Sequence, residues 1–151
     1  MGWFGDGGVG MLIVSACLAG LNCRYDGNNS LDREIERMSR TSEAFPVCPE
    51  ELGGLPTPRT PSEIENGSGE DVLAGRSRVV NAEGEDVTAH FIRGAWRTLA
   101  LVRALGIQEG IFKARSPSCG VRTIKRKDCL LKGSGVCAAL LLREGIRLTE
   151  R

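Results

Sequence analysis

The sequence predicts an α/β protein built as one three-layer domain, in which helices cover both faces of a mainly parallel sheet. Short apolar runs alternate along the chain with loops and with segments of helical periodicity. This alternation of strand, loop and helix is typical of a parallel sheet with covering helices. At 151 residues the chain can bury about 70% of its unfolded surface, so its core needs no disulfides.

The apolar patterns predict five strands and three helices. The strands are expected at residues 11–15, 44–48, 78–81, 107–114 and 146–149. The first helix spans residues 31–40, with Ser30 as a plausible cap. The second carries its apolar stripe from Phe91 to Leu105, with Asp86 near its start and Gly106 just past its end. The third spans residues 136–143.

Three segments lack a periodic pattern. Residues 1–10 include five glycines and no basic region, so they predict a disordered leader rather than a secretory signal, and the fold should begin at Met11. Residues 49–61 carry four prolines and Gly53-Gly54, which predict a stiff loop without regular structure. Residues 66–70 predict a flexible turn.

The net charge and the number and spacing of the cysteines limit the cellular compartment and the binding partners that the sequence allows. The net charge of +1 gives no overall attraction to nucleic acid or to anionic membranes. No apolar run approaches the ~20 residues of a membrane helix, which favours a cytoplasmic protein. In a reducing cytosol six cysteines point to metal binding or catalysis more than to disulfides. The absence of a C-x-x-C pair argues against a zinc ribbon or a thioredoxin-type site.

Three cysteines each lie at or just after the carboxyl end of a predicted strand. Cys17 and Cys119 come after the strands at residues 11–15 and 107–114, and Cys48 is the last residue of the strand at residues 44–48. Ligand crevices of parallel sheets lie beyond these strand ends, so we expect the three thiols to meet there. The remaining cysteines, Cys23, Cys129 and Cys137, are interpreted as packing or turn residues.

Several ordered motifs resemble the thiouracil desulfidase family from residue 11 nearly to the C-terminus. The motifs are Val14-Ser-Ala-Cys-Leu18, Cys23-Arg-Tyr-Asp-Gly27, Cys48-Pro-Glu50, Gly53-Gly-Leu-Pro-Thr-Pro-Arg59, Asp86-Val-Thr-Ala-His-Phe91 and Lys113-Ala-Arg-Ser-Pro-Ser-Cys-Gly120. The resemblance implies that residues 11–151 form a desulfidase-like catalytic domain. Its expected substrate is a small thiolated pyrimidine, and its expected cofactor is a [4Fe–4S] cluster.

The resemblance also implies the roles of individual residues. Cys17, Cys48 and Cys119 would be the cluster ligands, Glu50 the acid/base and Ser116 an assisting hydroxyl. Clusters are normally held by four cysteines, so three would leave one iron open as a soft Lewis acid for the sulfur of a C=S group. Glu50 could then activate the water that converts C=S to C=O without any net electron transfer.

Two further residues are candidates for binding the substrate. Asp26 occupies a turn on the loop after Cys17 and could line the pocket. Arg59, fixed among prolines, could contact the substrate or neutralise a carboxylate; the sequence leaves both roles open.

The span from residue 115 to residue 132 carries six basic residues and one acidic residue. It could be an ordinary solvated loop. It could also form a phosphate-binding edge, which would suit a thiolated nucleotide better than a free base.

Two hypotheses from other classes stand beside the desulfidase. One is a zinc- or cluster-carrying binding module without catalysis. The other is a nucleotide-binding α/β protein whose cysteines only pack, which the absence of a Gly-rich phosphate loop disfavours. Transfer RNA is disfavoured as a substrate because the chain has no overall positive charge.

Overall fold

The structure is a computed structural model that describes residues 10–151, and these residues form eight strands and five α-helices. The strands are β1 Leu12–Ser15, β2 Ala44–Val47, β3 Ser62–Ile64, β4 Val79–Asn81, β5 Glu109–Phe112, β6 Thr123–Arg126, β7 Cys129–Lys132 and β8 Arg147–Glu150. The helices are α1 Arg33–Arg40, α2 Pro49–Leu52, α3 Gly69–Leu73, α4 Thr88–Leu105 and α5 Val136–Arg143, and a 3₁₀ turn spans Ala16–Ala19.

Four strands form an entirely parallel sheet in the order β2–β1–β5–β8. Strand β1 pairs Leu12 with Ala44 on one side and Ile13 with Gly110 on the other. The chain therefore leaves β1 toward one edge of the sheet and later returns to its other side at β5. Ligand crevices of open α/β sheets lie at such a reversal, beyond the carboxyl ends of the strands.

Helices cover both faces of this sheet, which confirms the predicted three-layer α/β fold. Ile13 and Phe112 pack in the larger core with residues of α4 and α5, whereas Val14 packs in a second cluster with Ile35 of α1. Neighbouring residues of β1 serve opposite faces because side chains alternate along a strand. None of the helices within residues 10–151 is long and apolar enough to cross a membrane.

Helix α1 starts later than the predicted cap. Its N-cap is Asp32, whose Oδ1 accepts hydrogen bonds from the backbone N–H of Glu34 (3.0 Å) and Ile35 (3.2 Å). A carboxylate also interacts favourably with the positive end of the helix. Ser30 instead accepts a hydrogen bond from Arg24 at 2.9 Å and donates its backbone N–H to the carbonyl of Cys17.

Two segments predicted as irregular contain short helices. The prediction of no regular structure over residues 49–61 was wrong at its start, because α2 begins directly after Cys48. Pro49 stands at the first helical position, where the missing N–H costs nothing and the fixed φ suits a helix. The turn predicted at residues 66–70 instead begins α3, which Ser68 and Asp71 stabilise through a capping box.

The basic segment is a hairpin rather than a loop. Strands β6 and β7 pair antiparallel, and Lys127 and Asp128 connect them with φ values of 49° and 64°. Positive φ at both residues matches the twist that a two-residue hairpin turn needs. The predicted leader, residues 1–10, lies outside the described residues except for Gly10.

Two glycines allow α2 to pack backbone to backbone on α4. A Cβ on Gly94 would lie 1.9 Å from the carbonyl oxygen of Pro49, and one on Gly53 would lie 2.0 Å from that of His90. Real Cβ atoms cannot approach so closely. Because Cys48 and Pro49 precede the contact directly, it fixes where the chain leaves β2.

Side chains of α4 also donate hydrogen bonds to the backbone carbonyl groups at the C-terminal end of α2. His90 Nδ1 lies 2.8 Å from the Gly53 carbonyl oxygen, which Arg93 also contacts at 3.1 Å, and Arg97 donates to Leu52 at 2.6 Å. A carbonyl can only accept, so Nδ1 of His90 carries the proton. His90 is half-buried and belongs to this contact.

We predict that Gly94→Ala destabilises the protein, although Gly-to-Ala in a helix interior normally stabilises by about 1 kcal/mol. The new methyl would force α2 away, and overpacking of this kind costs about 1–3 kcal/mol. Thermal unfolding measures the difference. Ala100→Gly, at an exposed position of α4, is the control for helix propensity alone. A higher melting temperature for Gly94→Ala would contradict the close approach.

Candidate functional site

A cavity of about 480 Å³ lies beyond the carboxyl ends of β1, β2 and β5. Its wall includes the three cysteines predicted as ligands together with Glu50, Arg59 and Ser116. Asp26 is not part of the wall; it is exposed, and it pairs with Arg24 and accepts the backbone N–H of Asn28. The structure thus brings together every predicted site residue except Asp26.

Local backbone structure holds each of the three cysteines at a strand end. Cys17 lies in the 3₁₀ turn after β1, and its carbonyl accepts the backbone N–H of Ser30 at 2.9 Å. Cys48 is the N-cap residue of α2. Cys119 belongs to a turn in which Ser116 Oγ accepts the backbone N–H groups of Ser118 (3.1 Å) and Cys119 (3.0 Å).

A fourth cysteine, Cys23, also lines the cavity, where the sequence had suggested packing or turn support. Its thiol interacts with both Cys17 and Cys48. Hydrogen bonding from Cys23 lowers the pKa of Cys17 to about 7, against the effect of burial and with help from the positive charge of Lys113. The contact between Cys23 and Cys48 likewise lowers the pKa of Cys48, and the two neighbouring thiols together with burial raise the pKa of Cys23. A lowered pKa favours the thiolate form, which is the form that binds metals.

The pKa of Cys119 is shifted in the opposite direction. Burial raises the pKa of this thiol well above its usual range, and the neighbouring cysteines raise it further. A coordinated metal deprotonates a thiol outright, so a raised pKa in the free chain is compatible with a ligand role. Of the other cysteines, Cys137 is buried in α5 with a pKa raised by burial to about 12, and Cys129 is exposed on the hairpin; neither lines the cavity.

Glu50 and Arg59 form an ion pair in the cavity wall. Arg59 Nε lies 3.0 Å from Glu50 Oε1, and the side chains are only 6% and 15% exposed, respectively. The remaining donors of Arg59 reach the Pro56 carbonyl, Thr57 Oγ1, the Cys23 carbonyl (2.9 Å) and Cys48 Sγ (4.0 Å). All five N–H groups thus have partners within the protein. Arg59 neutralises a carboxylate, and its predicted role as a substrate contact has no free donor to support it.

Ser118 is a site residue that the sequence analysis missed. It is 2% exposed, and its hydroxyl donates to Glu50 Oε2 at 3.1 Å. The motif presents two hydroxyls before Cys119, and only the loop conformation shows that the second one reaches Glu50. The sequence offered one signal for this role: Ser118 carries a hydroxyl and stands directly before the predicted ligand Cys119.

The wall of the cavity also carries an excess of positive charge. Arg24, Lys113, Arg115 and Lys125 contribute to it together with Glu63 and Asp128, and Lys125 pairs with Asp128 at 3.6 Å. Burial and the charge of Arg115 lower the pKa of Lys113. Of the six basic residues of the segment from 115 to 132, only Arg115 and Lys125 line the cavity.

The donor set fits an iron–sulfur cluster. Among residues 10–151 no three His, Cys, Asp or Glu side chains gather closely enough to hold one metal ion. The cavity instead offers thiols from three separate strand ends around a common space. All-sulfur donors spread in this way match the ligands that iron–sulfur clusters use.

Fold and cavity together define an α/β protein whose site is built on cysteines beyond the ends of parallel strands. The family model described as 2-thiouracil desulfurase matches residues 12–151. An uncharacterized protein of Bacillus subtilis (strain 168), YbbK, is 43% identical over 141 residues, or 91% of this chain and 93% of that protein. The solved structure of the [4Fe-4S]-dependent thiouracil desulfidase TudS is similar with a TM-score of 0.82 and 38% identity, covering 94% of this chain and 91% of that chain.

The chain therefore belongs to the 2-thiouracil desulfurase family, which confirms the resemblance seen in its motifs. The match includes the ends of β1, β2 and β5, where the cavity lies.

We predict that Arg59→Ala lowers the free energy of unfolding by about 3 kcal/mol or more, because it leaves the Glu50 carboxylate without its cation in a largely buried wall. Arg78→Ala is the matched control, since Arg78 pairs with Glu65 at 2.8 Å but both side chains are about half exposed. Removing such a surface pair should cost about 1 kcal/mol or less. Chemical denaturation of both variants measures the difference, and equal losses would contradict the importance of the Glu50–Arg59 pair.

Proposed function

We propose that this protein removes sulfur from a thiolated pyrimidine, converting C=S to C=O and releasing sulfide, with a [4Fe–4S] cluster as cofactor. The observation that carries the proposal is the convergence of Cys17, Cys48 and Cys119 on one cavity whose wall also holds Glu50. Membership of the 2-thiouracil desulfurase family and the likeness to TudS support it.

The cluster would be held by the three cysteines at the ends of β1, β2 and β5. When bound, it would supply a soft Lewis-acidic iron for the sulfur of the substrate. The conversion exchanges sulfur for the oxygen of water, so carbon keeps its oxidation state and no reductant is consumed. The reaction is a hydrolysis rather than a redox step.

The acid–base work would fall to Glu50. Arg59 and Ser118 hold one carboxylate oxygen each, so the group keeps a fixed orientation. In this position it would take a proton from the water that attacks the carbon of C=S. The hydroxyl of Ser116, also in the wall, would assist the reaction at the substrate.

The basic residues of the cavity wall support a phosphorylated form of the substrate. Lys113 and Arg115 could bind the phosphate of a thiolated nucleotide while the base reaches the cysteines. The free base and the nucleoside would lack this contact and should bind more weakly.

We also propose a cytoplasmic location and a small-molecule substrate. All six cysteines are free, as expected in a reducing compartment. The net charge of +1 offers no broad attraction to a nucleic acid.

The proposal is tested by measuring sulfide and the oxygenated pyrimidine after anaerobic reconstitution with iron and sulfide. The substrates are 2-thiouracil and 4-thiouracil, each as base, nucleoside and nucleotide. We expect equal amounts of both products without added reductant, and faster turnover of the nucleotide at low concentration. A colourless zinc protein that releases no sulfide would contradict the proposal and favour a metal-carrying binding module.

We predict that Ser substitution separates the six cysteines into two groups. Cys17→Ser, Cys48→Ser and Cys119→Ser should each lose iron, because each removes one of three cluster ligands. Cys23→Ser, Cys129→Ser and Cys137→Ser should keep it, although Cys137→Ser places a hydroxyl in the core at a cost of ~1 kcal/mol or more. Iron per chain after anaerobic purification is the measurement. Loss of iron from Cys23→Ser would show that the ligand set is different.

We predict that Glu50→Gln keeps the iron content and the visible colour but lowers the turnover rate by about 10²–10⁴-fold, the usual effect of removing a general base. The amide preserves the size of the side chain but cannot take up the proton from water. Glu51→Gln, next in sequence and exposed, is the matched control. If Glu50→Gln holds its cluster and works at the parent rate, Glu50 is structural.

A further inference from the structure

A row of hydrogen bonds connects the two residues to which the proposed function gives roles in the reaction. Ser116 Oγ lies 3.1 Å from Ser118 Oγ, and Ser118 Oγ lies 3.1 Å from Glu50 Oε2. Ser116 and Glu50 are 66 residues apart in sequence and follow different strands of the sheet. Within residues 10–151, Ser118 is the residue that bridges them.

Counting donors and acceptors gives this row a direction. The oxygen of Ser116 already accepts two backbone N–H groups, from Ser118 and Cys119, so its hydroxyl proton is what it has left to offer. Ser118 Oγ lies within reach of that proton and can give its own to Glu50. Cys119 Sγ also lies near Ser118 Oγ, but at 3.7 Å a neutral sulfur competes poorly with a carboxylate oxygen at 3.1 Å.

Burial and charge keep the row intact. Ser118 is 2% exposed, so water cannot readily replace either of its contacts. Arg59 holds the other oxygen of Glu50 at 3.0 Å and keeps Oε2 turned toward Ser118. Ser116 lines the cavity, so the row begins where a substrate would lie.

We propose that Ser118 is a positioning residue that passes a proton between Glu50 and Ser116; this proposal rests on the function proposed above. As the water attacks, its proton moves to Ser116 Oγ, the hydroxyl proton of Ser116 moves to Ser118 Oγ, and that of Ser118 moves to Glu50 Oε2, which is the direction in which the hydrogen bonds already point. One O–H bond of water breaks, one O–H bond forms on Glu50, and no electrons are gained or lost.

The relay explains how a carboxylate that is held by two partners in the wall can act on a water that lies at Ser116. The two backbone N–H groups at Ser116 Oγ stabilise this oxygen while it gives up its own proton and takes up that of the water. Glu50 releases the proton when the products leave and is then a base again.

The test compares Ser118→Ala and Ser118→Thr with the parent, all carrying their cluster. We expect Ser118→Ala to keep the iron content and a KM within about 3-fold of the parent, while kcat falls by about 10²-fold or more. The Thr variant, which restores a hydroxyl, should recover most of kcat. Ser77→Ala is the matched control: Ser77 is also buried and donates its hydroxyl to Asn66, but neither residue is part of the cavity wall.

A solvent isotope series distinguishes a relay from a merely structural hydroxyl. In mixtures of H2O and D2O, kcat of the parent should curve with deuterium content, because several protons move together. Ser118→Ala should lose the curvature. A straight line for the parent, or a curve that Ser118→Ala retains, would overturn the relay.

A thermal cycle tests the Ser118–Glu50 contact without using activity. The melting-temperature shifts of Ser118→Ala and Glu50→Ala should not add in the double variant, since each removes the same hydrogen bond; additive shifts would contradict the contact. A parent that releases no sulfide would overturn the proposed function and the relay with it. An active parent whose kcat is unchanged by Ser118→Ala would overturn the relay alone.

Discussion

The site depends on one carboxylate, Glu50, held between the cation of Arg59 and the hydroxyl of Ser118. Glu50 stands just after β2, and Ser118 stands on the loop that follows β5. Arg59 also donates to the Cys23 carbonyl on the segment after β1. A single buried ion pair and its hydrogen bonds therefore tie together the three chain segments that deliver the cysteines. Burying charges has a desolvation cost, and a site that needs a fixed carboxylate gives a reason to retain them.

Packing in the hydrophobic core positions these site residues without contacting them directly. Helix α4 packs under the sheet through its buried apolar stripe, and its Gly94 lets α2 approach backbone to backbone. Because Cys48 caps α2 and Glu50 lies in its first turn, the helix contact sets the place of both. The packing of α4 thus determines the position of α2, and the position of α2 determines where Cys48 and Glu50 enter the cavity.

Much of this was readable from the sequence, and the failures have physical reasons. Apolar periodicity predicted the parallel sheet, and the rule that crevices lie beyond strand ends brought Cys17, Cys48 and Cys119 together. The short helix α2 was missed because proline density outweighed the fact that Pro49 suits a first helical position. Ser118 was missed because the partner of a hydroxyl depends on two loops folding against each other, 68 residues apart. Nor can spacing show that Arg59 uses all its donors internally, since its partners come from three segments of the chain.

The most direct measurement is a crystal structure of the anaerobically purified protein, recorded at the iron absorption edge. The account predicts anomalous density for four iron atoms inside the cavity, bonded to Cys17, Cys48 and Cys119, with one iron lacking a protein ligand and Glu50 beside it. Iron bonded through Cys23 in place of one of the three would contradict it, as would iron outside this cavity.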